Sequence, residues 1–145
     1  MSRRFVCDAW TVLALLQGEE PAASRVKQLL REAESGKAGL SMSIINLGEV
    51  YYRVGRAKGP DEAEETVRDI RRLPLTILPV TEEDVWAAAR LKMELLISYA
   101  DAFAAAAARK LDATLVTGDP ELAQLRDYTQ VERLDRASRS NGGPR

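Results

Sequence analysis

Four acidic residues stand where a carboxylate could do chemistry. Asp8 comes directly after Phe5-Val6-Cys7 and just before an apolar helical stretch. Asp101 is flanked by Ala100, Ala102 and Phe103, with Ala104 to Ala108 following. Glu49 lies in the helical segment after a second strand, and Asp119 closely follows a fourth. An unpaired carboxylate pressed against a core is costly, and a cation would offset that cost. The chain has no histidine and a single cysteine, Cys7. This excludes histidine-based triads, histidine general bases, the usual zinc sites and any internal disulfide. A metal here would have oxygen ligands only, which favours Mg²⁺ or Mn²⁺. Such an ion acidifies water and stabilises negative charge, the two needs of phosphodiester hydrolysis.

Each acid also has a structural reading of equal weight. Asp8 is placed to cap the helix after its strand. Asp119, with Pro120 at the first helical position, makes an ordinary helix start. Ser98-Tyr99-Ala100-Asp101 has capping-box spacing, with Asp in place of Glu. Glu49 and Arg53 are four apart and suit a surface pair worth about 0.3–0.5 kcal/mol.

The elements that must position these acids alternate between strand and helix. Arg4 to Cys7, Leu40 to Ser43, Leu75 to Val80 and Thr114 to Val116 read as strands, with Val131 to Leu134 as a last edge strand. Helices are expected over Ala9 to Gln17, Pro21 to about Glu34, Ile44 to about Arg56, Asp61 to Arg72, Thr81 to about Leu95 and Ser98 to Leu111, with a short one from Asp119-Pro120. Gly18, Ser35-Gly36-Lys37 and Gly59-Pro60 punctuate them. This alternation implies an α/β fold with a parallel sheet covered on both faces. Asp8 and Asp119 then lie at carboxyl ends of strands, where open α/β sheets collect ligands.

At 145 residues, the chain suits one domain over 1–135. The polar, Gly-rich segment 136–145 reads as a disordered tail. Hydrophobic residues make up 46% and charged residues 30%, a globular balance. No apolar run is long enough to span a membrane, and the N-terminus does not read as a signal peptide, so a cytoplasmic location is expected. The net charge of −1 argues weakly against a nucleic-acid binder, but a metal site must concentrate acids, and bound cations reverse the local field.

Four blocks in order resemble a known family: Phe5-Val6-Cys7-Asp8-Ala9, Asn46-Leu47-Gly48-Glu49-Val50, Ser98-Tyr99-Ala100-Asp101-Ala102-Phe103 and Leu115-Val116-Thr117-Gly118-Asp119. Together they are similar to PIN domains, specifically the VapC ribonuclease toxins of toxin–antitoxin pairs. The resemblance implies an α/β/α sandwich around a five-stranded parallel sheet of order 3-2-1-4-5. It implies a metal-dependent endoribonuclease in which Asp8, Glu49, Asp101 and Asp119 hold one or two Mg²⁺ or Mn²⁺ ions. It implies support of that site by the Thr117 hydroxyl, an RNA substrate, a small antitoxin partner and a homodimer.

Lys and Arg would hold the RNA backbone, and the candidates are Arg53, Arg56 and Lys58, with Arg3 and Arg4 near the first strand. One departure concerns Trp10, which stands where many family members carry Ser or Asn. Core packing is the favoured reading for Trp10, and Thr11 offers a hydroxyl one residue on. Haloacid-dehalogenase-like phosphatases need an Asp at the Trp10 position, and receiver domains need an Asp where Leu78-Pro79-Val80-Thr81 stands. Both rivals therefore fail on named residues. The alternative that survives better is a catalytically inactive PIN-like module that binds RNA or protein, and a DNA-cutting nuclease is a third option because metal chemistry at phosphate does not itself distinguish DNA from RNA.

Overall fold

The computed structural model describes residues 3–137. Its strands are β1 (Arg3–Cys7), β2 (Ala38–Ser43), β3 (Thr76–Leu78), β4 (Thr114–Thr117) and β5 (Val131–Arg133). The helices are α1 (Ala9–Gln17), α2 (Ala22–Glu34), α3 (Ile44–Lys58), α4 (Pro60–Arg71), α5 (Glu82–Glu94) and α6 (Tyr99–Lys110), followed by a 3₁₀ segment, Pro120–Asp127. All strand pairs are parallel, in the order β3-β2-β1-β4-β5 expected from the resemblance.

Side chains alternate across the two faces of this sheet, as a strand's period of two requires. Phe5, Cys7, Leu40, Met42 and Val116 join one buried cluster with Val12 of α1, Val26 and Leu29 of α2 and Leu47 and Val50 of α3. Val6 and Leu115 point the other way, into a cluster with Ala88 and Leu91 of α5 and Phe103 of α6. Ala102, Ala104, Ala105 and Ala108 are buried in that second cluster, so the alanine run of α6 serves close packing.

Local chemistry sets the element ends. Asp8 caps α1, and Gly18 closes it in the left-handed conformation at φ 65°. Thr81 and Asp84 form a reciprocal capping box on α5. The third strand is shorter than expected because it stops before Pro79, which has no N–H to give to the ladder. The segment after Asp119 begins with Pro120 as expected but winds as a 3₁₀ helix.

The expected tail falls mostly outside the described residues. Its first two residues, Arg136 and Ala137, are bonded to the body: Arg136 bridges Pro21, and the Ala137 N–H donates to the Glu20 carbonyl at 2.6 Å. Among the described residues, no helix is long and apolar enough to cross a membrane.

Candidate active site

The register of β1 against β4 sets Cys7 opposite Val116. The chain therefore leaves the sheet at Asp8 beside Thr117, with the Asp8 N–H still donating to the Val116 carbonyl at 3.4 Å. This is the point where strand order reverses, β2 lying on one side of β1 and β4 on the other. A cavity of about 550 Å³ opens here, and Asp8, Glu49, Asp101 and Asp119 all line it. The four acids come from four elements far apart in sequence, and the fold brings them to one place.

The structural readings of Asp8, Asp119 and Glu49 also hold, and of the capping box expected at Ser98 and Asp101 only the Ser98 half forms. Asp8 Oδ1 accepts the Thr11 N–H at 2.9 Å as an N-cap. Asp119 Oδ1 accepts the Glu121 N–H at 2.9 Å. Glu49 Oε2 accepts from Arg53 Nε at 2.9 Å. Ser98 caps α6 by accepting the Asp101 N–H at 3.1 Å. Capping and site-building are not alternatives here, because each carboxylate has two oxygens. Among the described residues Asp119 Oδ2 and Glu49 Oε1 carry no hydrogen bond, so one oxygen serves the fold and the other is left for a ligand.

Asp8 is 1% exposed, and among the described residues no Lys or Arg pairs with it. Burial pushes its carboxyl up to about 7, and the negative charge of Asp101 adds to the rise. Hydrogen bonds from the Thr117 hydroxyl and from the N–H and hydroxyl of Thr11 pull the other way. Asp101 is raised to about 6, first by burial and then by the charges of Asp119, Glu49 and Glu121, against a hydrogen bond from Ser98. The acids thus repel one another through a partly dry space, which a cation would reverse.

Hydroxyls hold this arrangement. Thr117, expected to support the site, is 1% exposed; its oxygen accepts the Asp119 N–H at 3.1 Å while its hydroxyl serves Asp8. It therefore ties two of the acids together. Thr11, fully buried, has its one hydroxyl proton shared between Asp8 Oδ1 at 2.9 Å and the Val116 carbonyl at 2.7 Å. It puts a hydroxyl beside the first acid although Trp10 fills the neighbouring position. Asn46, three residues before Glu49 on α3, donates to the Ala100 carbonyl at 3.1 Å and so fixes the start of α6 beside Asp101. Its own Oδ1 is buried without a partner among the described residues.

The basic candidates separate. Arg53 lines the cavity, whereas Arg56 and Lys58 line an adjoining groove of about 690 Å³ that shares Leu13, Gln17, Tyr52 and Arg53 with it. Arg3 and Arg4 are corrected by the structure. They start β1 at the opposite end of the sheet, where Arg3 pairs with Glu32 and Arg4 donates to the Leu111 carbonyl at 2.9 Å.

Sequence reasoning gave no site role to Glu121, Glu19 or Arg136, which all line the cavity. Glu121 was signalled by its place in the first turn after Pro120; Glu19 and Arg136 meet only through tertiary structure. Trp10, read as core, does pack on the first cluster, but it also forms part of the cavity wall.

The donor set suits a hard cation that keeps much of its water. Mg²⁺ is bound through one or two carboxylates rather than by a closed cage. Among the described residues no group of three acids is drawn together tightly enough to enclose an ion. The arrangement is an open wall of carboxylates, all of them oxygen donors.

Comparison with known proteins agrees with the fold. The PIN domain family model matches residues 5–128. No curated protein matches the chain in sequence. Among solved structures, VapBC2 of Rickettsia felis bound to a DNA fragment from their promoter aligns with a TM-score of 0.71 at 19% identity, over 91% of this chain and 99% of that one. VapBC-1 of nontypeable Haemophilus influenzae aligns with a TM-score of 0.68 at 20% identity, over 90% and 97%. The sarcin–ricin loop cleaving toxin VapC20 of Mycobacterium tuberculosis aligns with a TM-score of 0.61 at 18% identity, over 77% and 86%.

Proposed function

Because the chain belongs to the PIN-domain family, we propose that it is a metal-dependent endoribonuclease that hydrolyses RNA phosphodiester bonds, the toxin of a toxin–antitoxin pair. The observation that carries this reading is the meeting of Asp8, Glu49, Asp101 and Asp119 on one cavity, with Asp8 and Asp101 raised by burial and mutual repulsion. Carboxylates set against each other in this way favour an arriving cation.

In this reading Asp8, Asp101 and Asp119 hold Mg²⁺ or Mn²⁺, directly or through water, and Glu49 joins them or orients the attacking water. When bound, the cation supplies an acidified water and offsets the charge that builds at phosphorus. Thr117 and Thr11 keep the Asp8 and Asp119 carboxylates in place. Thr117 does so by joining the Asp119 backbone to the Asp8 side chain. Arg53, ion-paired to Glu49 at 2.9 Å, stands at the wall where an RNA phosphate would arrive. Arg56 and Lys58, in the adjoining groove, extend that path for the flanking backbone.

A small antitoxin partner and a homodimer belong to the same proposal. Two solved structures of similar fold are named as a toxin–antitoxin complex and as a member of the VapBC family of toxin–antitoxin systems, and the groove edged by exposed Leu16 and Tyr52 offers apolar surface for a protein chain.

The test is cleavage of a mixed cellular RNA pool with Mg²⁺, with Mn²⁺ and with EDTA, using the unaltered protein and Asp8→Asn. Cutting that requires the metal and disappears in the variant is the expected result. Cutting that persists in Asp8→Asn would remove the site from the reading. Absence of cutting by protein that is free of partner and binds Mn²⁺ would remove the activity.

A further inference from the structure

Trp10 is held as no ordinary core residue is. The ring lies so close to Gly118 that a Cβ built there would fall 2.1–2.3 Å from its Cη2, Cζ2 and Cζ3 atoms. Only glycine fits opposite it, and the indole cannot swing toward the Thr117–Asp119 turn. Yet the ring is not sealed in. Trp10 is half-buried and lines the cavity with the four acids. Its indole N–H has no hydrogen-bond partner among the described residues, and it is not among the buried polar atoms left unsatisfied there. A buried indole N–H is normally bonded; this one is open to donate to something that arrives.

Arg136 stands over the same ring. Its guanidinium carbon stands 5.5 Å from the Trp10 centroid, near the outer limit for an attractive cation–ring pair. Its hydrogen bonds to Glu19 are long, at 3.3 and 3.4 Å. Both are exposed contacts of the kind that yield readily. The cavity wall therefore presents a fixed aromatic ring, a free N–H donor and a loosely held planar cation. All three line the cavity with Asp119, and the ring packs on Gly118, one residue before it.

We propose that Trp10 and Arg136 form a nucleobase-binding subsite, in which a base of single-stranded RNA stacks on the Trp10 ring, beside the carboxylates that would receive the adjoining phosphate. Single-stranded nucleic acid is gripped by this combination of aromatic ring and guanidinium plane. Gly118 serves the subsite by letting the ring sit flush against the Asp119 turn, so that base and phosphate are placed relative to each other. The subsite rests on the RNA reading of the cavity, but its failure can be told apart from the failure of that reading.

The chain contains two tryptophans. Trp86, 54% exposed on α5, donates to Glu82 and does not line the cavity. In a Trp86→Phe background, Trp10 is the sole indole reporter. Dye-labelled oligoribonucleotides of eight A, C, G or U would be titrated at low salt with EDTA, reading dye anisotropy for binding and indole emission for Trp10. The expected result is saturable quenching of Trp10 with the same midpoint as the anisotropy. Trp10→Leu should weaken binding about 10-fold or more, and Trp10→Phe should restore most of it. Arg136→Ala should weaken binding less. Binding by anisotropy with Trp10 emission unmoved, and with folded Trp10→Leu binding as tightly, would overturn the subsite and leave the nuclease reading standing. No binding of any oligomer would overturn the subsite, and the nuclease reading would then stand or fall on the cleavage assay with metal.

Discussion

The two ends of β1 treat charge in opposite ways. At the amino end, Arg3 and Arg4 are exposed and satisfied: Arg3 pairs with Glu32 and covers the Phe5 ring at 5.3 Å, and Arg4 donates to Leu111 at the close of α6. Such surface contacts contribute about 0–1 kcal/mol each and cost little to lose. At the carboxyl end Asp8 is 1% exposed, and its partners are two hydroxyls and a backbone N–H. Three residues of strand, Phe5 to Cys7, separate an end arranged for folding from an end arranged against it. Burial without a cation is a cost that folding alone does not explain, and it marks the end where a ligand is expected.

The sharpest way to break this contrast is to remove charge from each end. Asp8→Asn should cut RNA cleavage by about 100-fold or more, whereas Arg3→Ala and Arg4→Ala should leave it within about 2-fold. Equal losses from both ends, measured on one RNA substrate with Mg²⁺, would remove the distinction.

Stability should move in the reverse direction. The Asp8 carboxyl is raised in the folded state to about 7, so folding favours its protonated form. Its cost is fully present above pH 7 and is lost as pH falls toward the unfolded value near 4. Without divalent metal, the protein should therefore melt higher at pH 5 than at pH 8, with Asp101 acting in the same sense over a slightly lower window. Asp8→Asn should raise the stability of the fold at pH 8 by an amount on the order of a few kcal/mol, and the gain should shrink by pH 5. Melting curves across pH in EDTA check this. Added Mn²⁺ should stabilise the unaltered protein more at pH 8 than at pH 5, by about 2.7 kcal/mol at 100 times its Kd.

A third measurement sharpens the contrast without touching charge. Gly118→Ala puts a Cβ into the Trp10 ring, and overpacking of that kind costs about 1–3 kcal/mol. Adding Trp10→Leu should recover part of the loss, which thermal melts of the single and double variants would show. Smallest of all, Glu32→Ala at the amino end should cost about 1 kcal/mol or less in the same assay.

Much of this was legible in the sequence for physical reasons. Periodicity and capping chemistry fixed nearly every element: Thr81 with Asp84, Asp8 before α1 and Gly18 after it are local devices that work the same way in any fold. The placing of Asp8 and Asp119 at strand ends was legible because parallel strands deliver their ends to one edge. It was not legible that each acid caps and lines at once, since that depends on how the two oxygens of one carboxylate are shared. Arg3 and Arg4 were misplaced by reading nearness in sequence as nearness in space. A strand advances about 3.3 Å per residue, so Arg4 lies roughly 13 Å from Asp8. Arg136 and Glu19 are more than a hundred residues apart, and no local pattern links them to the cavity. Trp10 was read as core from its apolar neighbours, and it does pack there, but a helix neighbour pattern cannot show which side of a ring stays open.

Cys7 has a use of its own. The only thiol in the chain is 2% exposed, one residue before Asp8, and burial together with the charges of Asp8 and Glu132 pushes it up to about 12. A thiol reagent in solution can modify it only when the strand opens. The rate of labelling is therefore a clock for opening of β1, built into the chain at the edge of the cavity and readable by mass without any added probe. A cation that steadies the neighbouring carboxylate would slow that clock, and so report its own arrival on a residue it never touches.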